Sequence, residues 1–337
     1  MTRRVTTIKD VAKAASVSIG TVSAVIHGKG SVNAEMRSRV EAAVAELGYT
    51  PNSVAQSMRL GSTRTIGLLV AHLNAPGITD FISAAQNVLD EAGYAMLLAP
   101  YTGNRDRELK LIEILRRRKV DGVLIYPMSE HDAAMDSALT AINVPVVVVD
   151  RESERWDTVV VEHRRAIQRA TEHLLQMGHR RIAFMAGTRS IYPSRERLLG
   201  YEAAHEAFGI PVDPDLIRSG DYLADYGFRE TSAIARQRNG ATAIIAGGML
   251  LPGVLRALSV NGLSVPGDMS VVCASDSDLT QLLTPAITSE SWDGAEVGAI
   301  TASMLLEQIR SVEPMPPRRS VVPAQLVFRD SCAPPKA

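Results

Sequence analysis

The chain has little cysteine and few aromatic residues. Its 337 residues include two cysteines, Cys273 and Cys332, and aromatic residues make up 4%. Two cysteines cannot form a disulfide framework, which favours a reducing compartment. No apolar signal segment follows Arg3 and Arg4, and the longest apolar runs, such as 144–149, have the length of a strand. We therefore expect a soluble cytoplasmic protein that has no membrane partner.

Motifs for catalysis and cofactor binding are also missing from the sequence. The serines lack a Gly-x-Ser-x-Gly context, and the glycines form no Gly-x-Gly-x-x-Gly loop. His173 and His179 are six residues apart at a predicted helix end, a spacing that does not suggest a metal site. We expect no enzymatic activity, no cofactor and no metal.

Positive charge is concentrated near the start of the chain. The net charge is -1, but residues 1–60 contain eight Lys or Arg and four acidic residues, which leaves +4 there and -5 on the remainder. A small basic segment ahead of an acidic body is typical of a unit that binds a polyanion such as DNA.

The basic segment predicts three short helices. Residues 7–28 indicate two helices with a tight turn at 15–17, because Thr7 and Ser18 are good N-caps and apolar residues recur at helical spacing. A third helix begins after Asn33 and ends at Gly48, and a short helical stretch follows at 53–60. By itself, such a helix pair is more often part of a small core. A short helix held by a tight turn also suits insertion into the DNA major groove.

From residue 66 onward, short apolar strands alternate with amphipathic helices. The alternation starts again near residue 181, which predicts two similar halves. The predicted fold class is an α/β core of two doubly wound parallel-sheet lobes plus a small all-α helix-turn-helix headpiece. A helix and a strand remain after both halves, so we expect the chain to cross between lobes more than once and to form a hinge.

Several short motifs follow one another along nearly the whole chain. They include Thr7-Ile-Lys-Asp-Val-Ala, Val17-Ser-x-x-Thr-Val-Ser, Glu46-Leu-Gly-Tyr-x-Pro-Asn, Val120-Asp-Gly-Val, 146–151, His173-Leu-Leu-x-x-Gly-His-Arg-Arg-Ile, Arg197-x-x-Gly-Tyr, 262–270 and Pro285-x-Ile-Thr. With these motifs the chain resembles the LacI/GalR (lactose-repressor) family of bacterial transcription regulators. The resemblance implies a homodimer on a near-palindromic DNA operator, with a small-molecule effector bound between two periplasmic-binding-protein-like lobes.

The resemblance also implies a division of the chain. We expect a headpiece at 1–50, a hinge helix and linker at 51–62, a first lobe at 63–161 plus about 292–320, and a second lobe at 162–291 plus about 321–331.

The family implies a set of DNA-contacting residues on the headpiece and hinge. Three positions that face bases in the family, Ile19, Gly20 and Ala24, cannot make bidentate hydrogen bonds here. We expect Ile19 and Ala24 to contact thymine methyl groups and Met58 to act as an apolar wedge in the minor groove. For phosphates we expect Arg3, Arg4, Lys9, Lys29, Arg37, Arg39 and Arg59. The full predicted set is Thr7, Ser18, Ile19, Gly20, Thr21, Ser23, Ala24, His27, Lys29, Asn33, Arg37, Asn52, Ala55, Met58 and Arg59.

The predicted effector site departs from the family pattern. The usual Asn-Asp after one strand is replaced by Ala-Gly-Gly-Met at 246–249. The usual Asp-Asp becomes Ser-Asp at 275–276, and the usual Asp-Asn becomes Glu-His at 162–163. The sequence therefore favours a simple sugar as the ligand less strongly. Arg197 is expected to clamp ligand oxygens, and Tyr222 to stack on a ligand ring. The predicted set is His72, Asn74, Tyr126, Arg197, Tyr222, Ser275, Asp276 and Trp292.

Two alternatives stay open at this stage. A solute-binding protein of a transport system would have the same core, although the basic headpiece argues against it. Within the family, the regulator could respond to a ligand other than a sugar, or to none.

Overall fold

A computed structural model describes residues 6–26, 32–49, 61–237 and 240–336. The chain divides into two compact units, Met1–Thr63 and Arg64–Ala337. Within the described residues, no helix is both long and apolar enough to cross a membrane.

Three helices make up the described part of the first unit. They are α1 (Ile8–Ala15), α2 (Ile19–Ile26) and α3 (Ala34–Leu47). Buried apolar residues from all three form one small core: Val11, Ala12, Ala15, Val22, Val25, Val40 and Ala43. Hydrophobic periodicity and capping residues are sufficient to specify these helices, and the predicted helix pair with its following third helix is confirmed.

The second unit contains twelve strands among its described residues. In chain order they are β1 (Thr65–Val70), β2 (Ala95–Pro100), β3 (Gly122–Ile125), β4 (Val146–Val149), β5 (Asp157–Val161), β6 (Ile182–Ala186), β7 (Ile217–Ser219), β8 (Ala243–Ala246), β9 (Ser270–Cys273), β10 (Thr288–Ser291), β11 (Arg319–Val322) and β12 (Gln325–Val327). They form two six-stranded sheets, ordered β11-β5-β4-β3-β1-β2 and β12-β10-β9-β8-β6-β7. Every pairing is parallel except that of β10 with β12. The predicted two-lobed α/β core is confirmed.

Helices cover the sheets of both lobes. They are α4 (Ile78–Glu91), α5 (Arg105–Arg118), α6 (Ala133–Ile142), α7 (His163–Gln176), α8 (Tyr192–Ala207), α9 (Ala224–Ala235), α10 (Leu251–Val260), α11 (Asp278–Leu282) and α12 (Gly294–Arg310). The last of these, α12, packs against α4 of the first lobe although it follows the second lobe in sequence. Apolar residues of α12, including Val297 and Leu305, belong to the core of the first sheet.

The chain crosses between the lobes three times in its described part. It passes from β5 to α7 at residue 162, from β10 to α12 at 292–293, and from β11 to β12 at 323–324. The third crossing differs from the expected boundary at about 320, because β11 pairs along its whole length with β5 of the first sheet. The first lobe therefore extends to Val322.

Four strands are not predicted from the sequence: β5, β7, β10 and β11. The reason is clearest for β10, whose sequence Thr-Ser-Glu-Ser looks like a polar loop. Thr288, Ser289 and Glu290 are nevertheless fully buried. Each of these side chains has hydrogen-bonding partners inside the protein, so polarity alone does not place the segment at the surface.

Helices α9 and α10 approach closely at Gly253, near the start of α10. A Cβ atom on Gly253 would lie 1.8 Å from the carbonyl oxygen of Ala224, the first residue of α9. Both helix starts border the space between the lobes, so this backbone contact helps to set the shape of that space.

We expect Gly253→Ala to lower the free energy of unfolding by about 1–3 kcal/mol, as overpacking does. Helix propensity alone would give the opposite sign, since alanine is favoured over glycine by about 1 kcal/mol in a helix. Denaturant titration measures the change. Ser259→Ala, at an exposed position of the same helix, is the control and should be neutral. A Gly253→Ala protein as stable as the original would contradict the close approach.

Candidate functional site

The second helix of the first unit presents a small, mainly uncharged face to solvent. Val22 and Val25 are buried, whereas Ile19 is 45% exposed and Gly20 is also exposed. The backbone N–H of Thr21 donates to Ser18 Oγ at 3.1 Å, and the two hydroxyls of these residues lie 2.9 Å apart. Ser18 and Thr21 therefore fix the start of the helix, and the exposed face has apolar or absent side chains where a base-reading helix would usually have longer polar ones.

The turn between α1 and α2 is held from the third helix. Ser16 adopts a left-handed conformation with φ of 53°. The Nε of Arg39 donates to the carbonyl oxygen of Ala15 at 3.0 Å, and its Nη2 donates to that of Ser16 at 2.8 Å. These bonds satisfy carbonyl groups that a helix end leaves without partners. Arg39 is among the residues expected to contact phosphate, but in this structure its guanidinium group stabilises the turn.

Other predicted DNA-contacting residues have structural roles as helix caps. Thr7 donates from both its N–H and its hydroxyl to Asp10 Oδ2, at 2.9 and 2.7 Å. Asn33 accepts from the N–H of Glu35 at 2.7 Å. Arg37, Ser23 and Ala24 are partly exposed. The predicted residues His27, Lys29, Asn52, Ala55, Met58 and Arg59, and the hinge helix with them, lie outside the described residues.

A cavity of about 770 Å³ lies between the two lobes of the second unit. Its walls come from the loop after β1, the starts of α9 and α10, the segment after β9 and the second crossing. The lining residues fall at 73–77, 79–80, 223–225, 248–249, 252, 276–279, 281 and 291–292. Among these described residues there is no Lys, Arg or His, whereas four are aspartates. The volume suits a small molecule, and the walls favour a ligand without negative charge.

Three of the eight predicted effector residues line this cavity: Asn74, Asp276 and Trp292. Asp276 is also tied into the fold, since Arg329 donates to both its oxygens at 2.8 Å. Burial alone would raise the pKa of Asp276, but hydrogen bonds from Arg329, Ser289 and Thr280 outweigh it and lower the pKa. Its carboxylate is therefore ionised and already partnered.

Arg197 does not line the cavity, and its guanidinium group pairs with a carboxylate of the protein. Its Nε donates to Glu290 Oε2 at 2.8 Å, and the Arg197 side chain is 7% exposed. The guanidinium carbon lies 5.7 Å from the centre of the Trp292 ring. Burial would lower the pKa of Arg197, but the charges of Glu290, Tyr222 and Asp150, together with the hydrogen bond to Glu290, outweigh it and raise the pKa. The group expected to clamp a ligand is thus engaged by Glu290.

The remaining predicted residues do not line the cavity and pack among other residues of the second unit. The ring of Tyr222 lies over Gly247, where a Cβ atom would come within 2.3 Å of Tyr222 Cε2. Glycine in place of the family's amide residue therefore makes room for this tyrosine. Ser275 is buried, and Tyr126 packs edge-on against Phe81 with ring centres 5.2 Å apart. His72 is half-buried and faces Gly103.

Sequence reasoning misses a cluster at the meeting point of the lobes. His163 is fully buried, and its Nδ1 lies 2.6 Å from Glu290 Oε1. Its Nε2 lies 3.1 and 3.3 Å from the two carboxylate oxygens of Asp150. Asp150 belongs to one of the sequence motifs, and His163 stands where the sequence departs from the family pattern. Glu290 gives no signal, because its strand is not predicted.

A second polar contact joins the lobes at the first turn of α8. Glu130, from the first lobe, accepts a hydrogen bond from the backbone N–H of Tyr192 and is paired with Arg195 at 3.1 Å. Arg195 also donates to Glu152 at 2.7 Å. A carboxylate at a helix N-terminus is favoured by the free N–H groups there, so Glu130 stabilises this arrangement of the lobes.

Two family models match the chain. Residues 7–52 match the model described as bacterial regulatory proteins, lacI family, and residues 171–332 match a periplasmic binding protein-like domain. The HTH-type transcriptional repressor PurR of Proteus mirabilis (strain HI4320) is 33% identical over 308 residues, covering 90% of each chain. The chain belongs to the lacI family of bacterial regulatory proteins. This LacI-family member is therefore a DNA-binding transcriptional regulator with a helix-turn-helix unit and a two-lobed core.

Other relatives and solved structures agree with this placement. The ribose operon repressor of Escherichia coli (strain K12) is 30% identical over 306 residues, 90% of this chain and 93% of that protein. The Lac repressor dimer bound to operator and the anti-inducer ONPF has a TM-score of 0.84 at 27% identity, covering 98% of this chain and 100% of that one. The complex of the regulator CelR with cellobiose has a TM-score of 0.73 at 30% identity, covering 97% and 99%.

The two arginines of α3 should differ in how they affect DNA binding by this LacI-family member. Arg39→Ala should weaken binding with little change in salt dependence, because Arg39 supports the turn. Arg37→Ala, if Arg37 contacts phosphate, should flatten the plot of log affinity against log salt by roughly 0.9 for each phosphate that is no longer neutralised. Titrations at several salt concentrations measure both. Equal flattening by the two variants would contradict the structural role of Arg39.

Proposed function

We propose that this protein is a cytoplasmic repressor that binds a near-palindromic operator as a homodimer, and that a small molecule in the interlobe cavity changes its affinity for DNA. The observation that carries the proposal is the presence, in one chain, of a helix-turn-helix unit with an exposed second helix and a two-lobed unit with a ligand-sized cavity. A solute-binding protein would account for the second unit alone. The match of residues 7–52 to the lacI family favours the regulator.

The assignment of the DNA-contacting residues is part of the proposal. Ile19, Gly20 and Ala24 offer apolar or bare surface to the bases, and the hinge at 51–62, with Met58, supplies the minor-groove contact. Since the exposed face of α2 has few hydrogen-bonding groups, specificity depends more on thymine methyl groups, on the hinge and on the spacing of the two half-sites.

Selection of binding sites from random DNA by the full-length protein tests this assignment. We expect thymine to be enriched where α2 meets the major groove. Ile19→Ser should weaken that preference several-fold, in line with the roughly 1–3 kcal/mol that a mismatched position costs. Ala14→Ser, at an exposed position of α1, is the control. Enrichment of guanine at those positions, unaffected by Ile19→Ser, would contradict the assignment.

For the effector, we infer a small molecule without negative charge, such as a neutral sugar or nucleoside. Trp292 provides an aromatic face on the cavity wall, and exposed Asp80, Asp225 and Asp278 would repel phosphate or carboxylate groups. The likeness to the CelR–cellobiose complex supports a sugar. The pairing of Arg197 with Glu290 supports the second candidate, a regulator whose ligand is not a simple sugar.

Thermal shift measurements with neutral sugars, nucleosides and their phosphorylated forms test the ligand class. At least one neutral compound should raise the melting temperature, and its phosphorylated counterpart should raise it less. Trp292→Leu should abolish the shift, whereas Trp156→Leu, outside the cavity, should keep it. A larger shift with the phosphorylated compound would overturn the charge argument. No shift with any compound, with DNA binding intact, would favour a regulator without a ligand in this cavity.

A further inference from the structure

Four charged side chains form a continuous chain where the lobes meet. Asp150 follows β4 of the first lobe, His163 begins α7 of the second, Glu290 lies in β10 and Arg197 in α8. The order of contacts is Asp150–His163–Glu290–Arg197. The side chains of His163 and Glu290 have no solvent exposure, and that of Asp150 is 17% exposed. Within this chain of four, the His163–Asp150 contact is the one that joins the two lobes.

The geometry around His163 decides how many protons its ring carries. Both ring nitrogens lie within hydrogen-bonding distance of a carboxylate oxygen, Nδ1 at 2.6 Å from Glu290 and Nε2 at 3.1 Å from Asp150. An ionised carboxylate only accepts hydrogen bonds, and a neutral imidazole has a single N–H. Two such bonds therefore need an imidazolium ring. With that proton, the four formal charges cancel.

Of the groups that face His163 from the surrounding elements, some favour the protonated ring and others disfavour it. Arg197, beyond Glu290, disfavours a positive ring, whereas the two carboxylates favour it. Tyr192 of α8 lies with its ring centre 6.3 Å away, and Trp292 stands edge-on at 5.4 Å. Burial and the charge of Arg197 lower the pKa of His163, but Glu290 and Asp150 outweigh them and raise it above its ordinary value.

The pKa of Asp150 responds to the same contact. Burial alone would raise it, but the charge and hydrogen bond of His163 outweigh burial and lower the pKa to about 2. With His163 protonated, Asp150 is therefore ionised, and it is the proton on His163 that changes the contact.

We propose that His163 is a proton-dependent joint between the lobes. As an imidazolium, it bridges Asp150 of the first lobe and Glu290 of the second without any ligand. On deprotonation, it loses one of these two hydrogen bonds. The joint stands on the geometry of the second unit. Its consequence for DNA rests on the proposed function, in which the arrangement of the lobes sets the affinity.

The direction of the pH effect follows from the raised pKa. A group whose pKa is higher in the folded protein stabilises it fully below its ordinary value, near about 6.5 for histidine. That stabilisation is lost as the pH rises through the higher folded pKa. The joint should therefore be intact at mildly acidic pH and weaken toward alkaline pH.

Two measurements on the full-length protein, without DNA or ligand, test the joint: NMR titration of the histidine ring signals and amide hydrogen exchange. The signal missing in His163→Gln should titrate above about pH 6.5. Over the same pH range, exchange at 73–77 and 248–252, corrected for the intrinsic effect of pH, should accelerate in the original protein. In His163→Gln it should be fast at every pH. His205→Gln is the matched control, because His205 is also buried but contacts only the Tyr201 carbonyl oxygen among the described hydrogen-bonding groups.

A second variant keeps the test decisive if His163→Gln does not fold. Asp150→Asn retains the shape but removes one negative charge, so the titration of His163 should move toward its ordinary value. The joint would be overturned if NMR showed His163 to be neutral over the whole pH range. It would also be overturned if hydrogen exchange responded to pH equally in the original protein and in Asp150→Asn. Since DNA and ligand are absent, failure here leaves the proposed regulator untouched, and failure of operator binding would leave the joint in place.

Discussion

The buried carboxylate of Glu290 is the constraint on which the centre of this molecule depends. An ionised carboxylate inside a protein costs roughly several kcal/mol unless opposite charges and hydrogen bonds compensate it. Here compensation comes from His163 on one oxygen and Arg197 on the other. His163 then needs Asp150 for its second nitrogen, which brings in the first lobe. The polar strand β10, the start of α7 and the end of β4 are thus fixed relative to one another by the demands of a single charge.

The same interaction explains why the residues between the lobes are arranged differently from what the sequence predicts. Arg197 is the residue that family resemblance assigns as a ligand clamp, but its Nε is already paired with Glu290. Tyr222 fills space that Gly247 leaves open. The cavity that remains lies to one side, against Trp292 and the starts of two helices. Its walls are acidic and apolar, and the nearby Arg197 and Arg329 are paired with carboxylates of the protein.

Much of the fold is predictable, because most elements have an apolar periodicity or a cap that acts locally. Helix α1, with Thr7 and Asp10 at its start, and strand β4, with four valines, are examples. Strand β10 is not predictable, since the burial of its Glu290 depends on Arg197 and His163, which are 93 and 127 residues away in sequence. The same holds for the third crossing, where only pairing with β5 shows that Val322 belongs to the first lobe. For the site, residue types indicate Asn74, Asp276 and Trp292 on the cavity wall. They cannot show that Arg39 and Arg197 are engaged by partners within the fold, because such pairings are set by tertiary structure.

The three crossings between the lobes have a mechanical consequence. Three chain segments join the same two lobes and act as a hinge, so we expect the lobes to move mainly along one coordinate of opening and closing. A proton on His163 and a molecule in the cavity would then act on that same coordinate. Thermodynamic linkage makes such effects reciprocal: a ligand that favours one arrangement must also change the number of protons bound by the protein.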